Sequence, residues 1–361
     1  MDDILVGTRK GLFTVRTGEI ARVSFLGAPV TAVLSRDGTL FAAVGHGHFG
    51  AKLHRSRDRG ETWEEAAVPK WPPKPAEADD RNPFSGAPWP WSLDQIWILE
   101  ADLRGQGALW CGTIPGGLFH STDAGASWRL VTSLWDRPER KQWGGGGYDF
   151  AGIHSICVDP RDPRRVLAGV SVGGAWRTDD GGESWTVASQ GMRAEYMPKE
   201  KQYDPVAQDP HRIVSCPAAP DVLWAQHHNG VFRSTDGARS WTEVKIKPSS
   251  FGFAVAVHPR DPDTAWFVPG VKDEVRVPVE GALVVTRTRD GGKTFQTLRT
   301  GLPQRHAYHL IYRHGLEVAP DGETLAMGST TGALWVTRDG AESWTALSRD
   351  LPPIFCVRFA S

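Results

Sequence analysis

This chain has little cysteine, almost no net charge and no long apolar run. Its four cysteines, at 111, 157, 216 and 356, are scattered through 361 residues. That scatter excludes a dense disulfide framework and any zinc-type Cys spacing. It predicts small buried thiols, three of them on inner strands, in a reduced, cytoplasmic protein. The formal charge of −1, from 41 basic and 42 acidic residues, excludes the basic face that nucleic acid or an anionic membrane demands. No stretch approaches the roughly 20 apolar residues of a membrane span. The start, Met1-Asp2-Asp3, is acidic and runs directly into an apolar segment, unlike a secretory signal. There is no His-Glu-x-x-His motif. The glycine run 144–147 lacks both the Lys-Ser/Thr pair and the strand-to-helix setting of a phosphate cradle.

What the chain does have is one phrase six times over: Ser/Thr-x-Asp-x-Gly-x-x-Trp. The copies occupy residues 56–63, 121–128, 178–185, 234–241, 288–295 and 337–344. Ala238 and Ala341 replace the late glycine in two copies, each preceded by glycine, and Phe295 replaces one tryptophan. Recurrence at this period marks a repeat architecture. Each copy lies between short apolar runs, which predicts strand, turn, strand. The Asp carboxylate can accept backbone N–H groups within its own turn, Gly supplies φ > 0, and Trp packs back over the hairpin. Six acidic turns need no six ligands, so the phrase reads as a folding staple.

The phrase resembles the Asp-box, or BNR, repeat of sialidases, sortilin-type receptors and photosystem II assembly factors, and the resemblance covers essentially the whole chain. It implies an all-β propeller of four-stranded blades. Inner strands are expected at 30–35, 95–101, 153–159, 213–218, 253–258 and 313–319. Segments 4–8, 11–15 and 21–26, together with a lone strand at 354–359, complete a seventh blade closed by both chain ends. Closure removes exposed sheet edges. Seven blades of about fifty residues account for 1–361 as a single domain. The seven-blade count is closest to the assembly-factor group.

Function is expected in what the repeats do not share. Three long, aromatic connections, 69–94, 134–152 and 190–212, are read as a cover over one face of the ring. That face also receives Arg9, Trp89, Trp91, Tyr148, Asp149, Arg276, Arg305 and His309 as ligand-binding candidates. The histidines concentrate there too. His46, His48, His154, His227, His228 and His314 are the metal-ligand candidates, for one divalent transition ion (Zn, Fe, Cu or Mn). A strand through His46 and His48 would point both rings to one side. Glu100 and Glu317 fall on inner strands, where buried carboxylates need partners or a channel water network.

Two function classes stay open. One is an enzyme or binding protein, metal-dependent or not, taking a small molecule or carbohydrate at the channel mouth. The other is a non-catalytic scaffold docking a protein segment on that face. A glycoside hydrolase is a third reading. The resemblance to sialidases implies three arginines clamping a carboxylate, a Tyr nucleophile with a Glu partner, and an Asp acid. Arg9, Arg276 and Arg305, with Tyr148 and Asp149, are the residues available. The Arg-Ile/Leu-Pro signature that precedes the first box in sialidases is absent. For a two-carboxylate mechanism, Asp94, Asp149 and Glu195 are the loop carboxylates placed near the mouth.

Overall fold

The computed structural model describes residues 3–145 and 148–360. Its strands form seven four-stranded antiparallel sheets arranged as a propeller. The inner strands of blades 1 to 7 are Val30–Arg36, Gln95–Ala101, Ile153–Val158, Pro210–Cys216, Gly252–Val257, Leu316–Val318 and Ile354–Phe359. Blade 7 is closed as the sequence predicts: Ile354–Phe359 pairs with Ile4–Thr8, followed by Gly11–Arg16 and Glu19–Ser24. Two inner strands differ from expectation. That of blade 4 starts three residues earlier, at Pro210, because proline is tolerated as a first strand residue. That of blade 6 is shorter, because Arg313 and His314 leave the ladder before Leu316.

The repeated phrase builds one turn six times. In the second copy Ser127 N–H and Ser127 Oγ donate to the two oxygens of Asp123, at 2.8 and 2.6 Å. Ser121 Oγ donates to Asp123 Oδ1 and accepts from Gly125 N–H. Gly125 stands at φ +75° and Ala124 at +55°, so the turn needs two successive left-handed residues. The same bonds recur around Asp58, Asp180, Asp236, Asp290 and Asp339. The tryptophan goes further than its own hairpin. Trp128 Nε1 donates to the Ala67 carbonyl and Trp241 Nε1 to that of Ala188, each just past the outer strand of the preceding blade. The phrase therefore staples neighbouring blades as well as each turn. Trp110, Trp176, Trp224, Trp266 and Trp335 are buried in apolar clusters that span adjacent blades.

Inside the ring the inner strands are irregular at one end. In six of seven, pairing with the second strand slips there, leaving Thr31, Trp97, His154, His211, Phe253 and Phe355 at the bulges. A bulge bends the strand and re-aims the extra side chain. Lower in the channel, Arg358 Nη1 donates to Glu317 at 3.1 Å and its Nη2 lies 3.5 Å from Glu100. The partner for the two inner carboxylates is thus an arginine of blade 7.

The turns make stability depend on acid. Asp58 and Asp290 are pulled down to about 2, first by the Thr62 and Thr294 hydroxyls and then by the N–H groups of the same residues. An unfolded aspartate titrates near 3.9, at about that value. Because the folded value is the lower one, this stability is complete above roughly pH 5 and is lost as pH falls toward 2. The urea midpoint is expected to be flat from pH 7 to 5 and to fall steeply between pH 4 and 2. Asp123→Ala is expected to cost about 1 kcal/mol at pH 7. Its deficit against the natural chain should shrink at pH 2 to 3, which urea unfolding at both pH values would check.

Candidate functional site

The bulged ends of the inner strands surround a cavity of about 700 Å³. Thr31, Trp97, His211, Phe253 and Phe355 line it directly, and Tyr312, Arg313 and His314 do so from blade 6. The long connections supply the rim: Phe84, Gly145 and Tyr148, then Tyr196 and Met197. Asp273, Glu274 and Arg276 close the far side from blade 5. Of the glycine run 144–147, Gly145 reaches the cavity, and 146 and 147 lie outside the described residues.

Two features of this cavity are costly to build. The first is Arg313, which is only 7% exposed. Among the described residues no carboxylate lies within ion-pair distance of its guanidinium, and its Nε is buried without a hydrogen-bond partner. The group rests on rings instead, 4.8 Å from the Trp97 centroid and 5.4 Å from that of Phe253. Burial pushes its pKa down, and the nearby charge of Asp209 pushes it back up. A buried, unpaired cation beside open volume is a place for an anion.

The second feature is the group Asp209, His211 and His228. Asp209 and His211 are two residues apart at the start of the blade 4 inner strand, and both face the cavity. Pro210 pairs with His227, so the next step outward sets Asp209 opposite His228, whose N–H donates to the Asp209 carbonyl at 3.0 Å. His211 Nε2 and His228 Nδ1 stand 3.6 and 3.3 Å from Asp209 Oδ2. Burial would raise Asp209, but His211 and His228 hold it well below the usual carboxylate range. Burial pushes His211 down, whereas in His228 the carboxylate outweighs burial and raises it.

Of the ligand-binding candidates from sequence, Tyr148 and Arg276 line the cavity. Arg276 is paired with Asp273 at 2.6 Å and lies over Phe253. Trp89 and Trp91 do not reach it. They belong to a loop core in which the buried Arg140 pairs with Asp80 at 2.7 Å and stacks on Trp135 and Trp89. Trp91 Nε1 donates to the same Asp80. Asp149 is exposed, its carbonyl tied to Asn82. Arg9 is exposed in the turn between Ile4–Thr8 and Gly11–Arg16 of blade 7, Arg305 lines a separate surface depression, and His309 Nδ1 lies 2.5 Å from Thr331 Oγ1.

The histidine candidates separate in the same way. His228 and His314 line the cavity. His46 precedes and His48 lies within a 3-10 turn, Gly47–Phe49, so the strand argument for their pairing does not apply. His227 points away from the cavity and its Nε2 accepts the Asp209 N–H at 3.0 Å; burial pushes its pKa down to about 3. His154 and His314 do meet, but through the backbone: His314 Nε2 donates to the His154 carbonyl at 2.7 Å. His154 is fully buried against Trp97, with Nδ1 2.8 Å from Ser155 Oγ. Asp209, His211, Trp97, Phe253 and Tyr312 are the lining residues that sequence reasoning passed over. The signal for the first two was Asp-Pro-His, a proline opening a strand between two residues on one face.

No known family profile matches the chain. A probable oligoxyloglucan-reducing end-specific xyloglucanase of Neosartorya fischeri is 26% identical over 218 residues, 52% of this chain and 25% of that protein. The chain thus spans about a quarter of the length of that relative. The crystal structure of a GH74 xyloglucanase from Xanthomonas campestris superposes with a TM-score of 0.67 at 17% identity, over 96% of this chain and 52% of that one. YCF48 bound to a D1 peptide superposes at 0.57 and 15% identity, over 92% and 88%. These likenesses define the class as a seven-bladed propeller, shared by carbohydrate-acting and peptide-binding proteins. Among the described residues no helix is long and apolar enough to cross a membrane, and the four cysteines are unpaired.

The channel pair below the cavity generates one prediction. Replacing Arg358 by Leu removes the cation in direct contact with Glu100 and Glu317 and leaves the more distant charge of Arg212 beside them, which is expected to cost about 3 kcal/mol. Adding Glu100→Gln and Glu317→Gln to that variant should recover part of the loss. Urea unfolding of the single and triple variants checks both.

Proposed function

We propose that this propeller binds a small anionic molecule with a flat or apolar body in the cavity at its channel mouth. Arg313 carries the reading. Its guanidinium is buried, faces open volume, lacks a protein counter-ion among the described residues and is held between two ring faces. A bidentate carboxylate is the natural complement of such a group. Trp97, Phe253, Tyr312 and Phe355 supply apolar wall, and the volume falls in the range of small-molecule sites. The four unpaired cysteines, three of them buried, are in keeping with a reducing, cytoplasmic setting.

The geometry favours this over the two other readings. A glycoside hydrolase needs a carboxylic acid of raised pKa beside a second carboxylate. Of the cavity carboxylates, Asp209 and Glu274 are both held low, and Asp273 is paired with Arg276. A scaffold that docks a protein segment wants a broad open face, whereas this site is a concave cavity of about 700 Å³ with Phe84, Tyr148 and Tyr196 among its lining.

Calorimetry with matched probes tests the reading. Benzoate and indole-3-acetate are expected to bind more tightly than benzyl alcohol and tryptophol, which keep the ring and lack the charge. Arg313→Met should remove that preference, weakening the acids by about 10- to 100-fold, the worth of a charge-assisted hydrogen bond. Equal binding of acids and alcohols, or unchanged binding by the variant, contradicts the proposal.

A further inference from the structure

We infer that Asp209, His211 and His228 form a binding site for one divalent first-row transition metal ion, with its open coordination positions facing the cavity. Each residue offers one ligand atom, and the three atoms lie within 4.8 Å of one another. Bonds of 2.0–2.2 Å to a central ion subtend ligand separations of roughly 3–3.5 Å. The observed 3.3 and 3.6 Å from Asp209 Oδ2 to the imidazole nitrogens are close to that spacing, while the two imidazole nitrogens, within 4.8 Å of each other, would draw together as the ion binds. Both carboxylate-to-nitrogen distances are too long for the charge-assisted hydrogen bonds of about 2.7–2.9 Å that an ion pair alone would form.

The tautomer of His211 strengthens the case. Its Nδ1 lies 2.6 Å from the Gly252 carbonyl, which can only accept, so Nδ1 carries the hydrogen. In the neutral ring Nε2 is then a bare lone pair aimed at a carboxylate oxygen. Two acceptors facing one another repel unless a cation lies between them. An N–H to carbonyl bond on the far nitrogen is also the usual outer partner of a metal-bound histidine. The remaining supports are in place. Asp209 Oδ1 accepts from Val172 N–H at 3.2 Å, leaving Oδ2 for the ion. His211 stacks on Phe253 at 4.3 Å, and Tyr196 packs edge-on against His228 at 5.0 Å. Ligand atoms fixed before binding lose little freedom when the ion arrives.

Two imidazoles and one carboxylate select Zn, Fe(II), Mn or Co over the oxygen-preferring Mg and Ca. Three protein ligands leave room for water or for oxygens of a cavity ligand. The site goes beyond the anion reading of Arg313 and does not rest on it.

The test uses the full chain with any purification tag removed, stripped by a chelator and free of organic ligand. Cobalt(II) is added first, read by its visible absorption bands, and zinc is then used to displace it, read by calorimetry. One equivalent is expected, with intense visible bands of nitrogen-and-oxygen coordination. His211→Gln and His228→Gln should each weaken binding at least about 10-fold, while His46→Gln with His48→Gln should leave it unchanged. His228 lies at the half-buried rim, so its variant keeps the test valid should His211→Gln fail to fold. Absence of stoichiometric cobalt binding by the natural chain, or binding lost in the His46/His48 variant instead, overturns the inference. Because carboxylate probes are measured separately on the chelated protein, failure of the metal site and failure of the anion site are told apart.

Discussion

The channel mouth depends on residues that do not fit the ladder. A regular inner strand would alternate its side chains between the two faces of its own sheet. The register slips at Thr31, Trp97, His154, His211, Phe253 and Phe355 turn that alternation aside at one end of the ring. Five of these six residues line the cavity. Blade 6 reaches the same end differently, by leaving the ladder before its strand begins. The repeated turns and inter-blade tryptophans hold seven sheets in place so that seven such positions converge. Neither set carries chemistry by itself.

The charges at this mouth are arranged by layer. At the top, Asp209 is enclosed by two histidines, and Arg276 is matched to Asp273. In the middle, Arg313 has ring faces and, among the described residues, no carboxylate within ion-pair distance. Below, Arg358 joins Glu317 and Glu100. The lower layer is ion-paired, whereas in the upper one Asp209 faces imidazole nitrogens at 3.3 and 3.6 Å, longer than direct charge-assisted hydrogen bonds. Among the described residues the middle layer leaves a cation without an ion-pair partner beside open volume, and that imbalance is the basis on which an anionic ligand is proposed.

The fold was legible because its signals are local. An Asp-containing turn, a glycine and a tryptophan recur at fixed offsets, and each turn makes the bonds its residue types suggest. The closing strand pair was legible from leftover apolar segments at the two ends. The site was only partly legible. Tyr148, Arg276, His228 and His314, expected at one face of the ring, line the cavity. Trp89 and Trp91 were on the right connection, but an Asp80–Arg140 pair draws them into a separate loop core. His46 and His48 form part of a short turn, not a strand. Asp209 and His211 were missed because the strand was started at 213, placing them in a loop. A one-residue bulge leaves no mark in hydrophobic periodicity, so which blade side chains turn inward can be read only from register.

Arg313 is the residue around which the proposed ligand site at the channel mouth is organised. A crystal structure grown with indole-3-acetate tests it most directly. The carboxylate is expected within about 2.7–2.9 Å of the Arg313 guanidinium nitrogens, with the indole between the ring walls of the cavity. A ligand bound elsewhere, or Arg313 found paired with a carboxylate of the protein itself, would contradict it.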